Sequence, residues 1–152
     1  MAGGARADLR RCDPAVGLYR AAASQISAGE KGRGMTLTAS CLCGATRYTL
    51  SGAIDEVMLC HCGQCRRANG GAFNVAVLAD AADVQFEARD AVREYESAPG
   101  KYRAFCSGCG APVYSRRDDL PAVLRLRGGL IDALPAPRRL TESHRDDGWD
   151  WI

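Results

Sequence analysis

Three thiols fall within six residues at Cys60-His61-Cys62-Gly63-Gln64-Cys65. A disulfide accounts for two of them at most, so metal binding is the chemistry that uses all three. In an extended segment side chains alternate, which sends Cys60 and Cys62 to one side and His61 to the other. A turn at Gly63-Gln64 then returns Cys65 to the same point. Zinc sites in which the protein supplies three ligands leave a position for water or substrate and are the catalytic kind, whereas closed four-ligand sites are structural. The spacing therefore predicts an open zinc centre on Cys60, Cys62 and Cys65.

A second set has a different character. Cys41-Leu42-Cys43-Gly44 places two sulfurs on one side of the chain, and Cys106-Ser107-Gly108-Cys109-Gly110 is a knuckle whose glycines allow a tight backbone around an ion. Paired, the two motifs make a four-cysteine structural site that ties an early strand to a late hairpin, so that metal binding adds to folding free energy. Spacing leaves a crosswise arrangement open, with Cys41 and Cys43 joining Cys60, Cys62 and Cys65. An iron–sulfur cluster also suits thiolates, but the spacings do not follow the ferredoxin runs.

These motifs need short strands to hold them. Alternation and turn residues predict strands at 36–40, 45–50, 57–60, 73–79, 84–87, 92–97, 102–105, 113–115 and 122–126, with a short helical turn or loop after Cys65 that ends at Gly70-Gly71. The expected fold class is all-β and sandwich-like, with little helix. Residues 1–34, rich in Ala, Gly and Arg, read as a poorly ordered N-terminal extension in which Cys12 is a stray surface thiol. A transit peptide and an upstream start before Met35 are the other readings of that stretch. The zinc-binding β domain is expected over 35–152.

At 152 residues one domain is the default. No apolar run reaches transmembrane length and no secretory h-region opens the chain, so a soluble, cytoplasmic protein in a reducing compartment is expected, with no membrane partner. The formal charge of +2 divides into a basic 1–34 and a body near neutrality. That body lacks the electrostatic footprint of a nucleic-acid binder, and nucleic acid is not an expected partner.

Taken together, Cys41-x-Cys43-Gly44, Cys60-His61-Cys62-x2-Cys65-Arg66 and Phe105-Cys106-x2-Cys109-Gly110 resemble the glutathione-dependent formaldehyde-activating enzyme family, which includes the centromere protein V type. The resemblance runs from about residue 37 onward, and Arg125–Asp132, His144 and Trp149 agree loosely with the family's final segment. It implies a β-tent fold with two zinc ions (Zn2+) per chain. Cys41, Cys43, Cys106 and Cys109 would hold the structural one; Cys60, Cys62 and Cys65 would hold the catalytic one. The implied reaction adds glutathione to formaldehyde, giving S-hydroxymethylglutathione, and is classed as a carbon–sulfur lyase in the reverse sense. The implied partners are a small thiol such as glutathione and a small aldehyde.

Within that reading an open zinc lowers the pKa of a thiol and places it beside a carbonyl. Arg66 and Arg67 would offset the negative charge of three thiolates and pair with the carboxylates of glutathione; the alternative is that they are solvated surface charges. Alternation makes His61 a packed structural residue, and His144 is a candidate fourth ligand. Trp149 and Trp151 are expected to cover the sandwich. The competing function is a non-catalytic zinc module that binds a partner protein, with a redox thiol switch more distant.

Overall fold

The computed structural model describes residues 35–152, and the expectations for 1–34, Cys12 included, lie outside the described residues. The strands are β1 (Thr36–Ser40), β2 (Arg47–Ser51), β3 (Glu56–Cys60), β4 (Asn74–Asp80), β5 (Val84–Ala88), β6 (Val92–Ala98), β7 (Lys101–Cys106), β8 (Pro112–Arg117), β9 (Val123–Arg127) and β10 (Arg139–Ser143). One α-helix is present among the described residues, α1 (Gly63–Asn69), between β3 and β4. The all-β expectation holds. Each of the nine expected strands meets an observed one within two residues.

The strands form two sheets, ordered β1-β2-β5 and β10-β3-β4-β9-β8-β7-β6. Alternation explains the small sheet: Leu37 and Ala39 of β1 and Tyr48 and Leu50 of β2 point inward, while Thr36 and Arg47 face solvent. These side chains pack on Val77, Ala79, Tyr114, Leu124 and Leu126 of the large sheet in one core. Burying each such aliphatic or aromatic side chain stabilises the fold by roughly 1.5–3 kcal/mol.

The opposite face of the large sheet is covered too. Met58, Cys60 and Leu78 on that face form a second buried cluster with Cys62 and Cys65, which α1 brings in. Double coverage explains why β4, Asn-Val-Ala-Val-Leu-Ala-Asp, is apolar on both sides rather than alternating. It also sets the environment of β9. Leu124 and Leu126 enter the first core, while Arg125 and Arg127 turn to the second face, where they are 7% and 4% exposed.

β10 is an element that the sequence does not announce. Arg-Leu-Thr-Glu-Ser is largely exposed and carries no alternation, because it is an edge strand whose one partner is β3. The pairing is parallel, with Arg139 opposite Glu56 and Ser143 opposite Cys60. An Arg139–Glu56 ion pair and a Thr141 Oγ1 to Glu56 Oε1 hydrogen bond of 2.8 Å fix the register. No helix among the described residues is long and apolar enough to cross a membrane.

Candidate metal centres

The four-cysteine cluster is built from two turns. Cys41 and Cys43 lie in the β1–β2 turn, Cys106 ends β7, and Cys109 sits in the knuckle before β8, where Gly110 takes φ 75°. The four sulfurs all lie within 4.8 Å of one another. Cys41 to Cys43 is 3.6 Å and Cys43 to Cys106 is 3.8 Å. A disulfide would need about 2.05 Å. A tetrahedron with metal–sulfur arms of about 2.3 Å has edges of about 3.8 Å, so the separations fit one shared ion.

Backbone amides prepare this cluster for a cation. Thr46 N–H donates to Cys41 Sγ at 3.3 Å. The N–H groups of Cys109 and Gly108 pull the Cys106 thiol down to about 6 against its burial. Cys43 is pushed up to about 11: the Ala45 amide lowers it, but the Cys109 and Cys41 sulfurs outweigh that. The amide donors therefore favour the thiolate form at Cys106. The pairing of the first and last cysteine motifs is the one observed, and the crosswise arrangement is not.

Cys60, Cys62 and Cys65 form a separate group, all buried, with sulfurs within 4.8 Å of one another. The convergence expected from the sequence is present, but its geometry is helical. β3 ends at Cys60, and Cys62 is the N-cap of α1, its Sγ accepting from Cys65 N–H at 3.3 Å. Cys65 returns to the same side because it lies three residues on in the first turn. Gly70, at φ 66°, ends the helix by donating to Arg66 O at 2.8 Å. His61 faces away as expected, with its ring 5.3 Å from that of Phe73.

Charge within this group is uneven. Hydrogen bonding from Cys60 and Cys62 holds the Cys65 thiol far below its ordinary value against burial, and Arg103 and Lys101 add to the effect. Cys60 is pushed far up by the same kind of contact with Cys62 and Cys65 and by burial. Arg103 Nη2 lies 3.9 Å from Cys65 Sγ. His144 Nδ1 lies 3.8 Å from Cys60 Sγ, yet His144 is not in the group whose donor atoms all lie within 4.8 Å. Its backbone is left-handed at φ 55°, the one such non-glycine among the described residues, and its Nε2 is buried without a hydrogen bond.

One space adjoins the three sulfurs and a second shares Arg103 with it; both are lined by α1 and the large sheet. A chamber of about 30 Å³ is lined by the three cysteines and His144 together with Lys101, Arg103, Arg117 and Arg125. A cleft of about 440 Å³ lies alongside, lined by Gln64, Arg67, Tyr95, Arg103, Phe105 and Arg127 among others. Arg103 borders both. Among the described residues no Asp or Glu lines either.

A family model described as glutathione-dependent formaldehyde-activating enzyme matches residues 36–146. The chain belongs to that family. A crystal structure of a Rhodobacter sphaeroides protein, a structural-genomics target, matches with a TM-score of 0.56 at 19% identity, covering 70% of this chain and 99% of the other. At that identity the likeness concerns the fold. No curated protein sequence matches the chain.

For a member of the glutathione-dependent formaldehyde-activating enzyme family, the position of the arginines matters. Arg67 is exposed on the cleft wall. Arg66 lies instead over the Trp149 ring, 5.3 Å from its centroid. Trp149 and Trp151 do not cover the sandwich: they are 44% and 76% exposed and stack on each other at 5.4 Å. Sequence reasoning passes over Arg103, Arg125 and Arg127. The signal for two of them is Val-Leu-Arg-Leu-Arg, where alternation puts both arginines opposite Leu124 and Leu126, on a face that α1 closes.

Proposed function

We propose that this family member adds a thiol such as glutathione to formaldehyde or another small aldehyde, and runs the reverse carbon–sulfur cleavage, at a zinc centre held by Cys60, Cys62 and Cys65. Cys41, Cys43, Cys106 and Cys109 hold a second, structural zinc. The reading is carried by one observation: three buried, convergent sulfurs open onto a cation-lined chamber that borders a cleft of ligand size. A reducing, cytoplasmic setting suits its free thiols.

The reaction joins a thiol and formaldehyde into an S-hydroxymethyl thioether. One carbon–sulfur bond forms, the carbonyl π bond breaks, and the thiol proton moves to the carbonyl oxygen. When bound, zinc supplies the positive charge that favours the thiolate form of an incoming thiol. The chain does the rest. Three thiolates around a divalent ion sum to one negative charge, which Arg103, beside Cys65, offsets. The chamber, about 30 Å³, lies directly beside the three sulfurs and would hold the small carbonyl there. Arg67, on the cleft wall, faces a carboxylate of the thiol, whereas Arg66 lies over Trp149 and does not line the cleft.

Cys62→Ser tests this reading. Loss of one zinc equivalent together with all turnover of glutathione and formaldehyde above the spontaneous rate supports it. Turnover that survives the loss of that equivalent counts against it. A second reading, a non-catalytic zinc module, draws on the 3.8 Å approach of His144 to Cys60. X-ray absorption distinguishes the two: three sulfurs and one imidazole before and after thiol is added favour the module, and a fourth sulfur on thiol addition favours the enzyme.

A further inference from the structure

The two sulfur clusters differ in what solvent can reach. Cys60, Cys62 and Cys65 are 7%, 2% and 7% exposed. In the four-cysteine cluster Cys41 and Cys106 are buried and Cys109 is half-buried, but Cys43 is exposed. Its surroundings leave it uncovered. Leu42 beside it is 91% exposed, and Ser107 and Gly108 of the knuckle are exposed as well. Gly108 puts no side chain over the site: a Cβ there would stand 3.4 Å from Cys43 Sγ and 3.7 Å from Cys106 Sγ. The cluster thus has one open corner, and the two sulfurs nearest Gly108 are 3.8 Å apart.

Exposure decides which thiolate an oxidant meets first, since buried cysteines are inert and accessible ones are not. A bound divalent ion holds all four sulfurs as thiolates, the form that oxidises. Two neighbours then compete for an oxidised Cys43. Cys41, at 3.6 Å, shares with it a turn already closed by Gly44 N–H donating to Cys41 O at 3.0 Å, so a bridge between them would have to distort that turn. Cys106 ends β7, a separate element, and a bridge to it needs only a shift of the turn against the knuckle.

We propose that Cys43 is a site of reversible oxidation: a peroxide that reaches it past Gly108 converts Cys43 and Cys106 to a disulfide and releases the metal ion, while the buried triad is spared. In the first step the Cys43 thiolate attacks one peroxide oxygen. The S–O bond forms, the O–O bond breaks, and the departing hydroxide takes a proton to become water. In the second step the Cys106 thiolate attacks the sulfur of that sulfenic acid, forming the S–S bond and breaking the S–O bond, and a second hydroxide is protonated to water. Two electrons pass from the two sulfurs to one peroxide. Cys41 and Cys109 alone are too few to complete a tetrahedral site, so the ion leaves. The new covalent bond takes over the tie between the β1–β2 turn and the end of β7, and a thiol reductant with added metal reverses the change. The inference rests on the zinc-binding reading of this cluster and on no reaction at the triad.

The experiment treats the zinc-loaded full chain with one equivalent of hydrogen peroxide, follows released zinc with a metallochromic indicator, and maps disulfides and free thiols by peptide mass spectrometry after alkylation in denaturant. One zinc equivalent is expected to leave together with a Cys43–Cys106 disulfide, while Cys60, Cys62 and Cys65 are recovered as alkylated thiols. Dithiothreitol and zinc then restore the starting state. Cys43→Ser removes a ligand and can unfold the chain, so Gly108→Ala serves in its place. It keeps all four cysteines and the zinc content, and its Cβ, set over the two sulfurs, slows release by about threefold. Oxidation that begins in the triad, a first disulfide from Cys43 to Cys41 or Cys12, zinc release without a disulfide, or a Gly108→Ala protein that loses zinc as fast as wild type overturns the proposal. If the four-cysteine cluster takes up no zinc at all, the metal reading and the proposal fall together before peroxide is added.

Discussion

Arg103, on β7, holds a guanidinium nitrogen 3.9 Å from the sulfur of Cys65 on α1. The two residues belong to different layers, and their contact is one of those that join α1 to the arginine-bearing face of the sheet. Gln64 and Ser97 complete the arrangement by fixing the orientation of the guanidinium.

Arg103→Lys follows from that contact. A lysine keeps the charge but has no planar fork, so it cannot reach Ser97, Gln64 and Cys65 at once. We expect kcat/KM for glutathione with formaldehyde to fall about tenfold while both metal equivalents stay bound. Steady-state rates corrected for the uncatalysed reaction, with metal analysis on the same sample, check it.

The two sulfur clusters should differ in what their loss does to stability. Cys109→Ser breaks a cluster that links the β1–β2 turn to the β7–β8 knuckle, and structural metal sites contribute on the order of 10 kcal/mol to the folded state. Its melting temperature should fall by more than about 10 °C. Cys62→Ser, whose cluster lies within one local segment, should lose one equivalent with a smaller shift. Calorimetric melts before and after chelation compare them.

His144→Ala should leave the electronic spectrum of the cobalt-loaded protein in place, because His144 stands beside Cys60 but outside the sulfur group. A displaced d–d band would make the imidazole a ligand. His144→Gly should cost less stability than His144→Ala by about 1 kcal/mol, since only glycine takes φ 55° without strain. Urea melts of the pair measure that difference.

Glu94 gives a pH-dependent prediction away from the thiols. It accepts from Arg116 Nε at 2.9 Å, Arg116 Nη2 at 2.8 Å and Tyr114 OH at 2.9 Å. Arg116, and then Tyr114, hold its carboxyl below the ordinary 4.5 despite partial burial. A depressed folded-state value means that the stabilisation is present above 4.5 and is lost as the pH falls through the folded value. Glu94→Gln should therefore cost about 1 kcal/mol or less at pH 7, screened as the pair is. The gap to wild type should close in acid, as denaturant titrations at several pH values would record.

Much of this is legible in the sequence, for particular reasons. Thiol spacing is chemistry written directly in the chain, so the triad can be read from it, whereas only the fold excludes the crosswise partnership of Cys41 and Cys43. Leu37, Ala39, Tyr48 and Leu50 give β1 and β2 away by alternation. The start of α1 is hidden because Gly63 is a poor helix former and a cysteine is an unusual cap, although Cys62 fills that role. β10 is invisible because an exposed parallel edge strand needs no apolar pattern. The burial of Arg125 and Arg127 is not legible because it depends on the helix that covers their face. Size alone points Trp149 and Trp151 at the core, whereas they stack on each other in solvent.

The sulfurs of Cys60, Cys62 and Cys65 come from one hexapeptide, whereas Cys43 meets Cys106 across 63 residues. Closing a loop of that length costs about 2 kcal/mol more than closing one of six residues. A growing polypeptide can thus gather the triad while much of its sequence is still unmade, and must wait for β7 before the other four sulfurs meet. The two clusters belong to different moments in the life of the nascent chain, the reactive one early and the clasp late.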